Sequence, residues 1–121
     1  MTHNPLPAPR LRLKAGDDIA FGPGKAQLLE LIDQHHSISA AARAMGLSYR
    51  RAWLLVETMN RCARSPLVVT ATGGRKGGGA ELSPLGLEVL TQFRQLEQEI
   101  LNSPRFHSLA ELFHPASPGN Q

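Results

Sequence analysis

The stretch SISAAARAMGLSYRRAW, residues 37–53, decides the expected fold. The four alanines that follow Ser39 give its first half a high helix propensity and a thin profile, which lets a neighbouring helix approach closely. Gly46 suits the left-handed conformation in which many helices end, and Ser48 can accept hydrogen bonds from the first N–H groups of a second helix. The spacing predicts two helices that cross after a turn of two or three residues, as in a helix-turn-helix.

The second helix of this pair is expected to run from Tyr49 to about Ala63. Trp53 lies at the border of its apolar face, and we expect it to anchor the core beside the preceding helix. The apolar residues at helical spacing should face inward: Ala52, Leu55, Val56, Met59 and Ala63.

Two cations, Arg50 and Arg51, fall in the first turn of that helix. The helix dipole already places partial positive charge there, so an ordinary surface helix would carry acids instead. The first turn of a recognition helix contacts base edges in the major groove, where an arginine can donate two hydrogen bonds to guanine. The unfavourable charge therefore predicts that a base or a phosphate completes the site.

The residues after this helix predict a β-hairpin with a basic tip. Residues 67–72 are short and β-branched, and residues 80–82 can pair with them. The tip between them contains five glycines together with Arg75 and Lys76, which we expect to contact phosphate or the minor groove. A nucleotide-binding P-loop is disfavoured, because Lys76 is followed by glycine and the loop leads into a strand.

The distribution of charge favours a polyanionic partner. The formal net charge is only +3, but seven cationic side chains and one carboxylate lie between Arg43 and Lys76. The rest of the chain carries six cationic and nine acidic side chains. This polarity predicts that one face of the protein meets double-stranded DNA while the rest stays solvated.

Shorter elements are expected before the helix pair. Residues 1–9 contain three prolines and predict a disordered lead-in. Residues 10–14 alternate between cations and leucines, which indicates an edge strand with both leucines on one face and the cations in solvent. A turn at residues 16–18 then precedes a scaffold helix over residues 25–36, whose two adjacent histidines point too far apart to bind one metal ion.

A long helix is expected after Ser83, which can cap it, with Pro84 in the first turn. Because the preceding elements use most of the core-forming residues, we expect this helix to pair with its copy in a second subunit. Its apolar seam, and hence the expected dimer interface, consists of Val89, Leu90, Phe93, Leu96 and Ile100.

The expected organisation is mainly α with a small β-hairpin: a winged helix-turn-helix over residues 10–82, a dimerisation helix over 83–102, and a tail over 103–121 with a short helix and then disorder. A single cysteine, Cys62, excludes an internal disulfide. The absence of any long apolar run predicts a cytoplasmic protein without membrane contact. No catalytic or metal-ligand constellation stands out, so an enzyme is not expected.

Several of these motifs together resemble the N-terminal domain of ModE, the molybdate-responsive bacterial regulator. They are SISAAAR at residue 37, LSYRRAW at 47, ETMN at 57, ATGGRKGGGA at 71 and LSPLG at 82. The resemblance covers roughly residues 10–102. It implies a winged helix similar to that of LysR-type regulators, in a dimeric, sequence-specific transcription factor that binds a palindromic operator.

Full-length ModE proteins continue into molybdate-binding domains where this sequence ends. We therefore expect no cofactor, no metal site and no molybdate site here. Three alternatives stay open for effector sensing: a free-standing regulator, a separate partner that senses the effector, or a response to another metal. The residues predicted to contact DNA are Ser39, Arg43, Ser48, Tyr49, Arg50, Arg51, Arg61, Arg64, Arg75 and Lys76. The alternative is a protein-interaction module, a winged-helix dimer that docks on another regulator or enzyme and binds little DNA.

Overall fold

The computed structural model of the protein describes residues 7–71 and 79–114. Over these residues it is mainly helical, as predicted, with two separate antiparallel pairs of strands, β1–β2 and β3–β4. The elements in chain order are β1 (Leu13–Ala15), β2 (Asp18–Phe21), α1 (Pro23–His35), α2 (Ile38–Met45), α3 (Tyr49–Cys62), β3 (Val68–Ala71), β4 (Gly79–Leu82), α4 (Pro84–Leu101) and α5 (Pro104–Ala110). Among the helices of the described ranges, none has the length and apolar content to cross a membrane.

The hairpin before α1 differs from the expectation. The strand β1 begins three residues later than predicted, its three residues are all exposed, and Leu13 pairs with Phe21 of β2 across a register shift. The strand β2 was not predicted: Asp18 was assigned to the turn, and residues 19–21 were assigned to no strand or helix. Only Gly16, with φ +64°, and Asp17 make the turn, and this short connection lets the following residues pair back.

The core forms where α1, α2 and α3 meet the β3–β4 hairpin and α4. Its largest fully buried side chains are Leu28, Leu29 and Ile32 of α1 and Met59 of α3. On α3 the predicted inward face is confirmed for Ala52, which is fully buried. Val56 and Met59 are buried as well, while Leu55 and Ala63 are half-buried against the same core.

The expectation for Trp53 is wrong, because this side chain is 43% exposed and does not anchor the core. The core face of α3 is centred on Ala52, and Trp53 lies about 100° around the helix from it. The small alanines of α2, Ala41 and Ala42, are buried in the same core cluster as Ala52.

The connection between α2 and α3 agrees with the sequence prediction. Gly46 has φ +72°, and the N–H of Leu47 donates to the carbonyl of Ala42 at 2.8 Å, which closes the end of α2. The hydroxyl of Ser37 accepts from the N–H of Ala40 at 3.0 Å and so caps α2. The hydroxyl of Ser48 caps α3. Three residues therefore suffice to set α3 against α2.

The base of the β3–β4 hairpin is tied to α3 by Asn60. Its amide oxygen accepts from the N–H of Leu67 at 2.8 Å and from the N–H of Val68 at 3.1 Å, and its amide nitrogen donates to the carbonyl of Val68 at 3.1 Å. On the other strand, the N–H of Ala80 donates to the carbonyl of His36 at 3.1 Å. These bonds hold both strands against the helical layer.

The helix α4 starts against the same segment. The hydroxyl of Ser83 accepts from the N–H of Gly86 at 3.0 Å and donates to the carbonyl of Pro66 at 2.7 Å. A Cβ at Gly86 would overlap the backbone carbonyl of Leu67, so the close approach of α4 to the residue before β3 requires glycine there.

The position of Phe93 corrects the predicted seam of α4. Phe93 is 5% exposed and packs edge-on against Phe21, with ring centroids 5.0 Å apart and an interplanar angle of 80°. It therefore belongs to the core of its own subunit. The apolar repeat of α4 faces this core in part, because the hairpin β1–β2 supplies a packing partner that was not predicted.

Candidate nucleic-acid interface

The first turn of α3 presents polar and cationic side chains to solvent. Tyr49 is 55% exposed, and Arg50 and Arg51 are exposed as well. The N–H of Arg51 donates to the hydroxyl of Ser48 at 3.0 Å, so that hydroxyl has a capping role in the free protein. This turn contains no acidic residue. The backbone is capped while the charge of both arginines remains open to an anion.

The outer row of α3 continues from Arg50 through Leu54 and Glu57 to Arg61. These residues lie within about 60° of each other around the helix axis, opposite the buried face. The guanidinium of Arg61 forms an ion pair with the carboxylate of Asp18 at 3.1 Å, and both side chains are about half exposed. A DNA contact by Arg61 therefore competes with a carboxylate from β2. Within residues 7–71 and 79–114, Arg50 forms no such ion pair.

The two polar residues predicted on α2 lie together on its exposed surface. The guanidinium of Arg43 donates to the hydroxyl of Ser39 at 3.2 Å. This bond joins residues one helical turn apart and orients the guanidinium along α2.

The structure does not bring Arg64 to the first turn of α3. Arg64 follows the far end of that helix, about 20 Å along the axis from Arg50, and it lines a groove beside α4. The remaining predicted contacts, Arg75 and Lys76, lie outside the described residues, as do residues 1–6 and 115–121 of the predicted terminal segments.

One cation close to the first turn was not among the predicted contacts. Lys25, in the first turn of α1, is half-buried. Burial lowers the pKa of Lys25, and the charge of Arg51 lowers it further. Lys25 and Arg51 are 26 residues apart in the sequence, so sequence spacing does not indicate that they are close. Their proximity depends on how α1 packs against α3.

An open groove of about 740 Å³ runs along α4, between this helix, the β1–β2 hairpin and the end of α3. It is lined on the α4 side by Val89, Phe93 and Leu96, three residues of the predicted seam. Phe93 lies at its floor, whereas Leu96 is 42% exposed. Over the described ranges, no group of three or more His, Cys, Asp or Glu side chains gathers into a metal site.

No family model matches the chain. It is similar to the molybdenum transport protein ModE of Azotobacter vinelandii, with 40% identity over 90 residues, which are 74% of this chain and 33% of that protein. It is 36% identical over 88 residues to the DNA-binding transcriptional dual regulator ModE of Escherichia coli (strain K12), covering 73% of this chain and 34% of the regulator.

A third relative is the molybdenum-pterin-binding protein MopA of Rhodobacter capsulatus, 40% identical over 97 residues, which are 80% of this chain and 36% of MopA. The chain thus spans about a third of the length of the curated relatives it matches.

The comparison with MopA corrects one prediction. The expectation of no cofactor and no molybdate site in this chain is wrong, because the matching region is shared with proteins named for binding molybdenum-pterin. Over most of its length, the chain is therefore a relative of ModE and Mop proteins, whose names describe molybdenum transport, molybdenum-pterin binding and transcriptional regulation.

Proposed function

We propose that this chain is a sequence-specific DNA-binding domain of the ModE type, a winged helix-turn-helix over residues 10–82. In this proposal α2 and α3 form the helix-turn-helix and the β3–β4 hairpin is the wing. The observation that carries it is the first turn of α3, where Arg50 and Arg51 are exposed on a capped helix start that contains no acidic residue. The similarity to a relative named as a DNA-binding regulator supports it.

The outer row of α3 supplies the base contacts in this proposal. Arg50 projects from the first turn on the side opposite the core, so it enters the major groove when α3 lies along it. A bidentate contact between an arginine and guanine contributes about 1–3 kcal/mol of discrimination against another base. Tyr49 and Ser48 flank this position, while Ser39 and Arg43 lie on α2, which crosses the backbone in a helix-turn-helix and contacts phosphate.

The wing contributes Arg75 and Lys76, whose proposed contacts are with phosphate or the minor groove. The strands that carry the tip are described up to Ala71 and from Gly79, which face each other in the β3–β4 register. Both strands are held against the helices by the bonds of Asn60 and His36. The two strands that flank the tip are therefore fixed to the helices by hydrogen bonds.

We further propose that α4 (Pro84–Leu101) forms a homodimer through the groove that Leu96 and Val89 line. A second copy of α4 is the proposed occupant, because this open apolar groove continues the seam of the helix itself. A two-fold dimer presents two copies of α3 to two half-sites and so favours a palindromic operator.

The experiment that tests DNA binding is selection from a pool of random duplexes, followed by titration of the selected duplex at several salt concentrations. Trp53 is the single tryptophan and lies half-exposed on α3, so its fluorescence reports binding without a label. An enriched palindrome, with an affinity that falls steeply with salt, is the expected result.

Variants divide the proposed roles. Arg50→Ala should weaken binding to the selected duplex about 5- to 150-fold, corresponding to the loss of one bidentate contact, and should relax the base preference at one position. Arg75→Ala and Lys76→Ala should weaken all duplexes alike. Arg105→Ala, the same loss of charge on α5, is the control. No enrichment with the unmodified protein would contradict DNA binding and leave the protein-interaction module as the better explanation.

Molybdenum binding is a second candidate function, favoured by the name of MopA. Isothermal titration of the chain with sodium molybdate tests molybdenum binding directly, and sodium sulfate is the control oxyanion. Heat that saturates with molybdate and not with sulfate would establish a selective site.

A further inference from the structure

Three cationic side chains, Arg12, Lys25 and Arg51, lie near one flank of α3, close enough for the charges of both arginines to act on Lys25. The two arginines of its first turn differ by about 100° around the helix axis, so they point in different directions. Arg50 belongs to the outer row with Glu57, whereas Arg51 is turned toward α1. Helix α1 packs against α3 and brings Lys25 to this flank.

Lys25 is half-buried, whereas most lysines are exposed. Its pKa is lowered first by burial and then by the charge of Arg51, with a smaller contribution from Arg12. Asp18 and the Cys62 thiol oppose this effect. The carboxylate of Asp18 is shared with Arg61, to which it is bonded at 3.1 Å. The carboxylate of Asp18 therefore neutralises only part of the positive charge around Lys25.

Arg12 is placed by a backbone feature. A Cβ at Gly22 would lie 3.2 Å from Cγ of Arg12, so the stem of this arginine crosses directly over the glycine before α1. Lys25 is three residues further along the chain. Glycine at position 22 therefore lets Arg12 lie close to the start of α1.

The opposite flank of α3 holds the proposed wing. Asn60 follows Arg51 by nine residues, which is about half a turn around the helix, and it bonds to Val68 of β3. The outer row of α3 therefore lies between the β3–β4 hairpin on one side and the three cations on the other. The major groove, which is about 12 Å wide, is likewise bordered by one phosphate strand on each side.

We propose that Arg12, Lys25 and Arg51 form a phosphate-binding site for the DNA strand that borders the groove on the side away from the wing. The proposal rests on the proposed DNA-binding function and changes one role within it. Arg51 is a backbone contact, and Arg50 alone of the two arginines contacts a base. Phosphate contacts of this kind position the protein without reading sequence.

The test compares Lys25→Gln and Arg12→Gln with the unmodified protein and with Arg105→Gln as the charge-matched control. Affinity is measured from 50 to 200 mM salt for the selected duplex and for a scrambled one. Each lost phosphate contact should reduce the slope of log affinity against log salt by about 0.9. Between 50 and 200 mM salt, the affinity of such a variant should therefore fall by a factor about 3.5 times smaller than that of the unmodified protein. Both duplexes should weaken by the same factor.

A further variant separates charge from structure. Lys25→Arg keeps the cation and should bind like the unmodified protein. Equal losses in Lys25→Arg and Lys25→Gln would overturn the proposal, as would an unchanged slope in Lys25→Gln and Arg12→Gln. Arg51→Gln should lower the affinity for both duplexes alike, and a selective loss on the selected duplex would return Arg51 to base contact. If the unmodified protein binds neither duplex, DNA binding itself fails.

Discussion

Replacing Asn60 tests whether the proposed wing is held by a single side chain. Asn60→Ala removes three hydrogen bonds and leaves the N–H groups of Leu67 and Val68 without their acceptor in buried surroundings. At a net of about 0.5–1.5 kcal/mol for each bond, the loss should be about 2–4 kcal/mol. That is a large part of the roughly 5–15 kcal/mol that stabilises a domain of ordinary size.

The assay is urea unfolding followed by far-ultraviolet circular dichroism, with the midpoint converted to a free energy of unfolding. Asn60→Asp keeps an oxygen for both N–H groups and loses only the donor to Val68, so it should lose less stability than Asn60→Ala. Gln92→Ala, which removes one exposed hydrogen bond to Glu88, is the control and should stay within about 0.5 kcal/mol of the unmodified protein. An Asn60→Ala variant as stable as this control would refute the reasoning.

Other changes test the remaining contacts. Gly86→Ala places a Cβ against the backbone carbonyl of Leu67 and should lower the free energy of unfolding by about 1–3 kcal/mol in urea. Gly24→Ala, whose new Cβ meets no atom within 4 Å outside its own helix backbone, should not. Equal effects would contradict the close approach of α4 to Leu67. Lys25→Met removes a cation whose pKa is lowered by burial, which means that the charged form destabilises the folded protein. The variant should therefore have a higher Tm in calorimetry at pH 7 and bind DNA more weakly. A lower Tm would contradict the conclusion that this charge destabilises the fold. Leu96→Glu should halve the mass measured by light scattering. Leu87→Glu changes a residue of similar exposure about half a turn around α4 and should leave the mass unchanged. If Leu96→Glu remains a dimer, the dimer interface does not lie in the groove.

The sequence was sufficient where structure depends on near neighbours along the chain. A glycine with positive φ at the end of α2, serines that cap α2, α3 and α4, and the inward face of α3 all follow from spacings of one to four residues. The exposed arginines of α3 belong to the same class, because their position in the first turn depends only on the cap at Ser48. These features set the helix order on which the proposed DNA contact depends.

The tertiary structure decided which side chains meet across the chain. Phe93 was expected at a dimer interface, and it is buried because Phe21, on a strand that was not predicted, lies 5.0 Å from its ring centre. Trp53 was expected in the core, but the face of α3 that packs inward is centred on Ala52, and the indole side chain is 43% exposed.

The same reason explains the contacts that sequence spacing could not indicate. Asn60 reaches the backbone of β3, and Lys25 lies near Arg51, only because α1, α3 and the hairpin pack together. Local patterns specify a helix and the side of it that is apolar, since they act through bonds and contacts within one or two turns. Which element covers that side is a property of the whole packed core, because burial free energy depends on area and shape and not on the order of residues in the chain.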